Sequence, residues 1–238
     1  MELISLFLIF IVLFIIVGLI IFYLFYKYWF LRNPKINVPK GKESLQNIIS
    51  PADGKVVQII EFDEQIAKIN KGRFGRIMAY TKDVAASGFV ICISMNPFNI
   101  HYQRSPINGI VKKIKYKKGK FRNVLKEPSS LRFIENENNE ILIEGTKRIY
   151  GMVSEAKGKS NKSKPFNVKV IQIAGALARR ICCFAKETQN LGKGDIIGLI
   201  KLGSMVVLII PNNVELMVKH GQRVHVGLST IAKVKKKG

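Results

Sequence analysis

The chain has 238 residues, 47% of them hydrophobic, and 39 Lys and Arg against 16 Asp and Glu give a formal charge of +23. That length accommodates one anchored globular domain with a core of its own after residue 40. Three cysteines, Cys92, Cys182 and Cys183, exclude a disulfide framework and a cysteine metal site, and they fit small apolar core residues in a reducing compartment.

Leu3 to Tyr26 is an uninterrupted run without a charge, rich in Ile, Leu, Phe and Val. Roughly 20 apolar residues cross a bilayer as helix, so residues 1–28 read as a transmembrane anchor. A cleaved signal peptide fits less well, because only Glu2 precedes the run, the run is overlong and no small-residue cleavage site follows. Tyr23, Tyr26, Tyr28 and Trp29 suit the membrane interface. All 39 basic residues follow the run, starting with Lys27, Arg32, Lys35, Lys40 and Lys42. By the positive-inside rule the chain is a single-pass protein of the cell membrane with its domain in the cytoplasm. Each basic residue near an anionic lipid surface gains about 1 kcal/mol, which makes that surface the expected partner. No recognition-helix or aromatic-rich single-strand motif supports a nucleic-acid partner.

Residues 29–48 read as a connector, with Pro34, Pro39 and Gly41 discouraging regular structure. Residues 49–238 read as one mainly β domain, antiparallel and barrel-like. Its expected strands are 55–62, 89–95, 110–116, 141–144, 166–173, 196–202 and 205–210, punctuated by Gly, Pro, Asn or Asp. Lys112 to Arg122 is either a strand with a solvated lysine face or a membrane-facing strip of lysines and aromatics. Residues 158–164 read as a solvated loop. Gly221 to Ala232, and more weakly Gly192 to Gly198, carry the glycine spacing of hairpins in lipoyl-like barrels, without a modifiable lysine tip. His220 and His225 sit in these turns and read as scaffold or surface residues.

Six segments follow one another in a telling order. They are Phe30-Leu31-Arg32-Asn33-Pro34, Ser50-Pro51-Ala52-Asp53-Gly54-Lys55-Val56, the stretch Asn96 to Pro106 around His101, Gln172 to Ile181 with Arg179 and Arg180, Ile200 to Val206 with Gly203-Ser204, and Gly221 to Ala232. From residue 28 to the C-terminus this order resembles the phosphatidylserine decarboxylases, particularly their short microbial branch, which includes archaetidylserine decarboxylases. Taken alone, Asp53-Gly54 is an ordinary turn and His101 an ordinary structural histidine.

The resemblance implies a proenzyme that cuts itself. Ser204 Oγ attacks the Gly203 carbonyl, an N-to-O acyl shift gives an ester, and β-elimination with hydrolysis leaves a pyruvoyl group on residues 204–238. A serine hydroxyl needs a base for this, and glycine before it removes a Cβ obstacle. The keto group condenses with the amine of a serine phospholipid and takes up the electron pair released with CO2, so no diffusible cofactor and no metal are needed. By resemblance Asp53 and His101 support these steps, His101 by proton transfer. Arg179 and Arg180 match arginines suited to lipid phosphate, and on a strand only one of them would face the site. Longer relatives carry a second histidine, associated with self-cleavage, where Arg104 stands here. Thus His101 serves both steps or Asp53 acts more directly. Many short relatives have Arg and Asp where Met205 and Val207 stand, which leaves the anchoring of the strand after the cut open. The cleaved chains are expected to stay together as a heterodimer and to dimerise further. The alternative is a barrel adaptor that binds anionic lipid without catalysis.

Overall fold

The computed structural model describes residues 2–39, 41, 43–63, 66–70, 76–118, 137–146, 149, 152–153, 164–174, 180–201 and 204–235. The apolar run forms a helix, Glu2–Leu24, prolonged by a π-helical turn, Phe25–Phe30. Apolar residues surround it on every side and leave it no amphipathic stripe, and it is long and apolar enough to cross a membrane. Beyond Leu31 the connector is irregular over residues 32–39, and a short 3-10 turn, Glu43–Gln46, follows. The Lys193 ammonium ties that turn down, donating to the carbonyls of Ser44, Leu45 and Asn47.

The domain is built on one curled antiparallel sheet. Its strands in chain order are β1 Gly54–Phe62, β2 Gly88–Met95, β3 Gly109–Lys117, β4 Asn138–Gly145, β5 Asn167–Ala174, β6 Asn190–Leu191, β7 Ser204–Pro211 and β8 Arg223–Val224. Across the sheet they run β6-β3-β4-β5-β7-β2-β1-β8. The strand expectations therefore hold, to within a residue or two at most ends.

The middle strands explain why the sequence reads as continuous apolar runs rather than as alternation. On one face Val206, Leu208 and Ile210 of β7 join Ile91, Ile93, Val168 and Val170 in the main core. On the other, Val207 and Ile209 join Val90, Cys92, Ile171 and Ile173. Successive side chains point to opposite faces, so a strand covered on both sides has no polar position to spare. Each such side chain contributes about 1.5–3 kcal/mol by leaving water. β3, near the edge, behaves oppositely: Lys112, Lys113, Lys115 and Lys117 are exposed, as either reading of that segment requires, and Lys112 Nζ lies 3.2 Å from Glu144. Residues 119–122 of that segment, and 158–163, lie outside the described residues.

Among the described residues, two two-stranded pairs, Ile66–Asn70 with Arg76–Tyr80 and Met152–Val153 with Lys164–Pro165, and two three-stranded sheets stand beside the curled sheet. One is ordered Arg180–Cys183, Ile196–Lys201, Tyr102–Arg104; the other Asn47–Ile49, Thr230–Val234, Val214–Leu216. Gly194, Gly221 and Gly227 have positive φ, as their turns require. The strands of the 221–232 segment pair outward, β8 with β1 and Thr230–Val234 with the small sheet, rather than with each other. The cysteine expectation needs a correction. Cys92 is buried in β2, but Cys182 is only half-buried and Cys183 is exposed, because their strand lies at the edge of its sheet.

Candidate active site

The turn before β1 is set by its own side chains. Ser50 Oγ donates to the Ala52 carbonyl at 2.6 Å, and the Pro51 carbonyl accepts Arg104 N–H at 3.0 Å. Gly54 then lets β1 press onto β2, where a Cβ would overlap the Ser94 carbonyl. The turn leaves Asp53 buried at the start of the strand. Its Oδ2 accepts the Ile100 N–H at 3.0 Å and the Asn99 side-chain amide at 3.2 Å. Its Oδ1 lies 3.0 Å from Nδ1 of His225, the residue that follows β8.

Asp53 thus holds the loop that carries His101. That imidazole is wholly buried. Its Nδ1 lies 2.8 Å from the Asn99 carbonyl, an oxygen that can only accept, so Nδ1 carries the proton. Nε2 is left as a lone pair with no hydrogen-bond partner among the described residues. The Phe30 ring, at the end of the π-helical turn, lies over the imidazole at 3.9 Å between centroids. Burial pushes the His101 pKa down to about 4; the Arg32 charge pushes the same way, while the Asn99 carbonyl and Asp53 oppose it. His101 is therefore neutral at physiological pH.

A ladder of buried amides fixes the backbone beneath it. Asn139 donates to Gln172 at 2.9 Å, Gln172 to Gln103 at 2.8 Å, and Gln103 to the His101 carbonyl at 2.7 Å. The same carbonyl accepts the Ile200 N–H at 3.2 Å. Gly198 makes room for this ladder: a methyl there would overlap Gln172 Nε2 and lie 2.7 Å from the Cys182 carbonyl. We expect Gly198→Ala to destabilise the chain by about 1–3 kcal/mol, the usual cost of overpacking, read as a lower thermal midpoint in detergent.

Ser204 opens β7, and its backbone is in register with Met95 of β2 on one side and Ala174 of β5 on the other. Met95 leads directly into the Asn96–Ile100 loop, and Lys55 pairs with Ser94 one step along β2. Adjacent strands lie about 4.8 Å apart, so the backbone at 204 is roughly 10 Å, two strand spacings, from the start of β1. Asp53, His225, the His101 loop and the start of β7 consequently meet at one end of the sheet.

Of the other expected site residues, Gly203 and Arg179 lie outside the described residues. Arg180 is exposed and stands opposite Lys201, on the strand leading to residue 204. Arg104 turns away to the connector, donating to the Gly194 carbonyl at 2.9 Å and to Asn33 Oδ1 at 2.7 Å. Met205 and Val207 are buried between β2 and β5, so the strand after the candidate cut is held by two ladders and an apolar core. The residue missed is His225. It reads as a surface residue, and its side chain is 68% exposed, yet it is the imidazole in contact with Asp53. No local signal marks a contact between positions 172 residues apart.

The buried His101 makes stability depend on pH. Its folded pKa lies below the ordinary 6.5, so between pH 6.5 and 4 the unfolded chain takes up a proton that the folded chain refuses. Stability is full above this window and falls as pH drops through it, by up to about 3 kcal/mol. Thermal unfolding at stepped pH should show that slope, and His101→Gln should remove it.

A sequence profile described as phosphatidylserine decarboxylase matches residues 24–232. The phosphatidylserine decarboxylase proenzyme of Carboxydothermus hydrogenoformans is 34% identical over 220 residues, covering 92% of this chain and 84% of the relative. That of Rhodopirellula baltica is 34% identical over 207 residues, covering 86% and 70%. In Methanocaldococcus jannaschii, a protein provisionally named archaetidylserine decarboxylase proenzyme is 31% identical over 211 residues, covering 88% and 90%.

Proposed function

The chain belongs to the phosphatidylserine decarboxylase family, and on that premise we propose that it is a membrane-anchored, self-processing decarboxylase of serine phospholipids. The observation that carries this reading is the meeting of Asp53, the His101 loop and the backbone of Ser204 at one end of the central sheet.

Ser204 Oγ attacks the carbonyl carbon of Gly203 and the peptide nitrogen leaves it, giving an ester between the two residues. Loss of the Ser204 α-proton and cleavage of the Cβ–O bond release a carboxylate at Gly203. Hydrolysis of the resulting dehydroalanine gives ammonia and an N-terminal pyruvoyl group. Once formed, that group would supply an electron sink for the bonding pair freed as CO2 leaves the serine head group.

The chain's own residues hold and move protons. His101, neutral and oriented by its Nδ1–H bond to the Asn99 carbonyl, presents Nε2 as the proton acceptor. Asp53 keeps that loop in place through the Ile100 and Asn99 N–H groups and also bonds His225, so it acts chiefly by positioning. Either Arg179 or Arg180 would take the lipid phosphate. The apolar helix anchors the chain, the lysines and arginines that follow it keep the domain cytoplasmic, and the Phe30 ring closes the His101 site from the anchor side. The head-group chemistry is the same on an ester-linked or an ether-linked archaeal lipid.

The test is denaturing mass spectrometry of protein purified from membranes, combined with CO2 release from each serine lipid. Two chains, 1–203 and 204–238, the second blocked by a keto acid, are expected. An unbroken chain that releases CO2 would overturn the mechanism, and an unbroken, inert chain that binds anionic vesicles would favour an adaptor.

A further inference from the structure

Three residues before His101, the Phe98 side chain is 65% exposed. The loop that carries it is locked rather than loose. Asn96 Oδ1 accepts the Phe98 N–H at 2.9 Å, and Asn99 Oδ1 accepts the Asn96 N–H at 2.8 Å. The ring is therefore held outward by a defined turn.

This loop is also fastened to the end of the apolar helix. The Phe98 ring meets Phe25 edge to face, 5.9 Å between centroids, and Arg32 donates to the Phe98 carbonyl. The Arg32 guanidinium lies 4.7 Å over the Trp29 ring, and Lys27 Nζ lies 5.3 Å over Tyr28. The last turn of the helix and the loop thus present the Phe25–Phe98 pair beside Tyr28 and Trp29, each of which carries a cation, and Tyr28, Trp29 and Phe98 remain exposed. Exposed aromatics interleaved with Lys and Arg match the headgroup region of an anionic bilayer, where rings enter the boundary and cations meet phosphate.

We propose that the Asn96–Ile100 loop is a second membrane contact, with Phe98 entering the cytoplasmic headgroup layer beside the anchor helix. This rests on the reading of Leu3–Phe30 as a membrane span: because Phe98 touches the final turn of that helix, its ring shares the depth of that turn. The contact gives the domain a fixed tilt. It also holds the loop that carries His101 close under the lipid headgroups.

Trp29 is the single tryptophan of the chain, which makes the test direct. The parent chain and the double variant Trp29→Phe, Phe98→Trp are reconstituted in phosphatidylcholine vesicles containing a minority of phosphatidylglycerol. The acyl chains are brominated either near the carbonyl or near the methyl end. We expect the indole in the double variant to be blue-shifted relative to water and quenched more strongly by the shallow bromines. If Trp29 in the parent is quenched while the indole at position 98 is not, the loop proposal fails and the anchor stands. If neither is quenched, both fail. The decarboxylase reading is untouched by either result, since no step of this measurement depends on activity.

Discussion

With Ser204 replaced by alanine, the chain is expected to remain in one piece and to release no CO2 from any serine lipid. The hydroxyl is both the nucleophile of the proposed cut and the precursor of the carbonyl used afterwards, so its removal deletes two functions at once. The expected loss is on the order of 10^6-fold or more, down to the uncatalysed background. Folding should survive. The backbone of residue 204 is what pairs with Met95 and Ala174, and alanine keeps those pairings. Thermal unfolding of Ser204→Ala should match that of the uncut precursor. Cut chains in this variant, or CO2 release without cutting, would end the proposed mechanism.

The second large effect is expected at His101. His101→Asn keeps an amide N–H at the place of Nδ1 for the Asn99 carbonyl but has no basic lone pair, and it should lower decarboxylation by about 10^2- to 10^4-fold. Whether cutting falls with it decides between the two roles left open by Arg104. If cutting persists, the base for that step lies elsewhere, and the Asp53–His225 pair at the same end of the sheet is a candidate. The pH profile carries a further signature. Nε2 acts only when unprotonated, so the acid arm of the rate should fall near pH 4 rather than 6.5. Phe30→Ala would admit water to the ring, raise the pKa towards its ordinary value and move that arm upward. An acid arm unmoved by Phe30→Ala would show that another group sets it.

Much of the fold is legible in the sequence, because strand length and punctuation are local properties. The run Val206 to Ile210 announces a strand buried on both faces before any partner is known. The motif around Asp53 and the one around His101 are each visible too. What joins them is not. The contacts from Asp53 to Ile100, from Phe30 to His101 and from Gln103 to Gln172 each bring together distant positions, and no local pattern encodes them. The same holds for His225, whose exposed ring looks like any surface histidine until β8 is laid beside β1. The exposure of Cys182 and Cys183 has a related cause. Adjacent residues on a strand cannot share a face, and an edge strand has too little cover to bury both.

A break before residue 204 would sever the chain without removing anything from the sheet, because β7 is flanked on both sides by strands of the other fragment. The consequence lies in renaturation. An uncut precursor folds as a unimolecular process, but a matured protein, once denatured, would have to recruit its own central strand from solution. Recovery would then depend on protein concentration, and at high dilution heat inactivation would be irreversible.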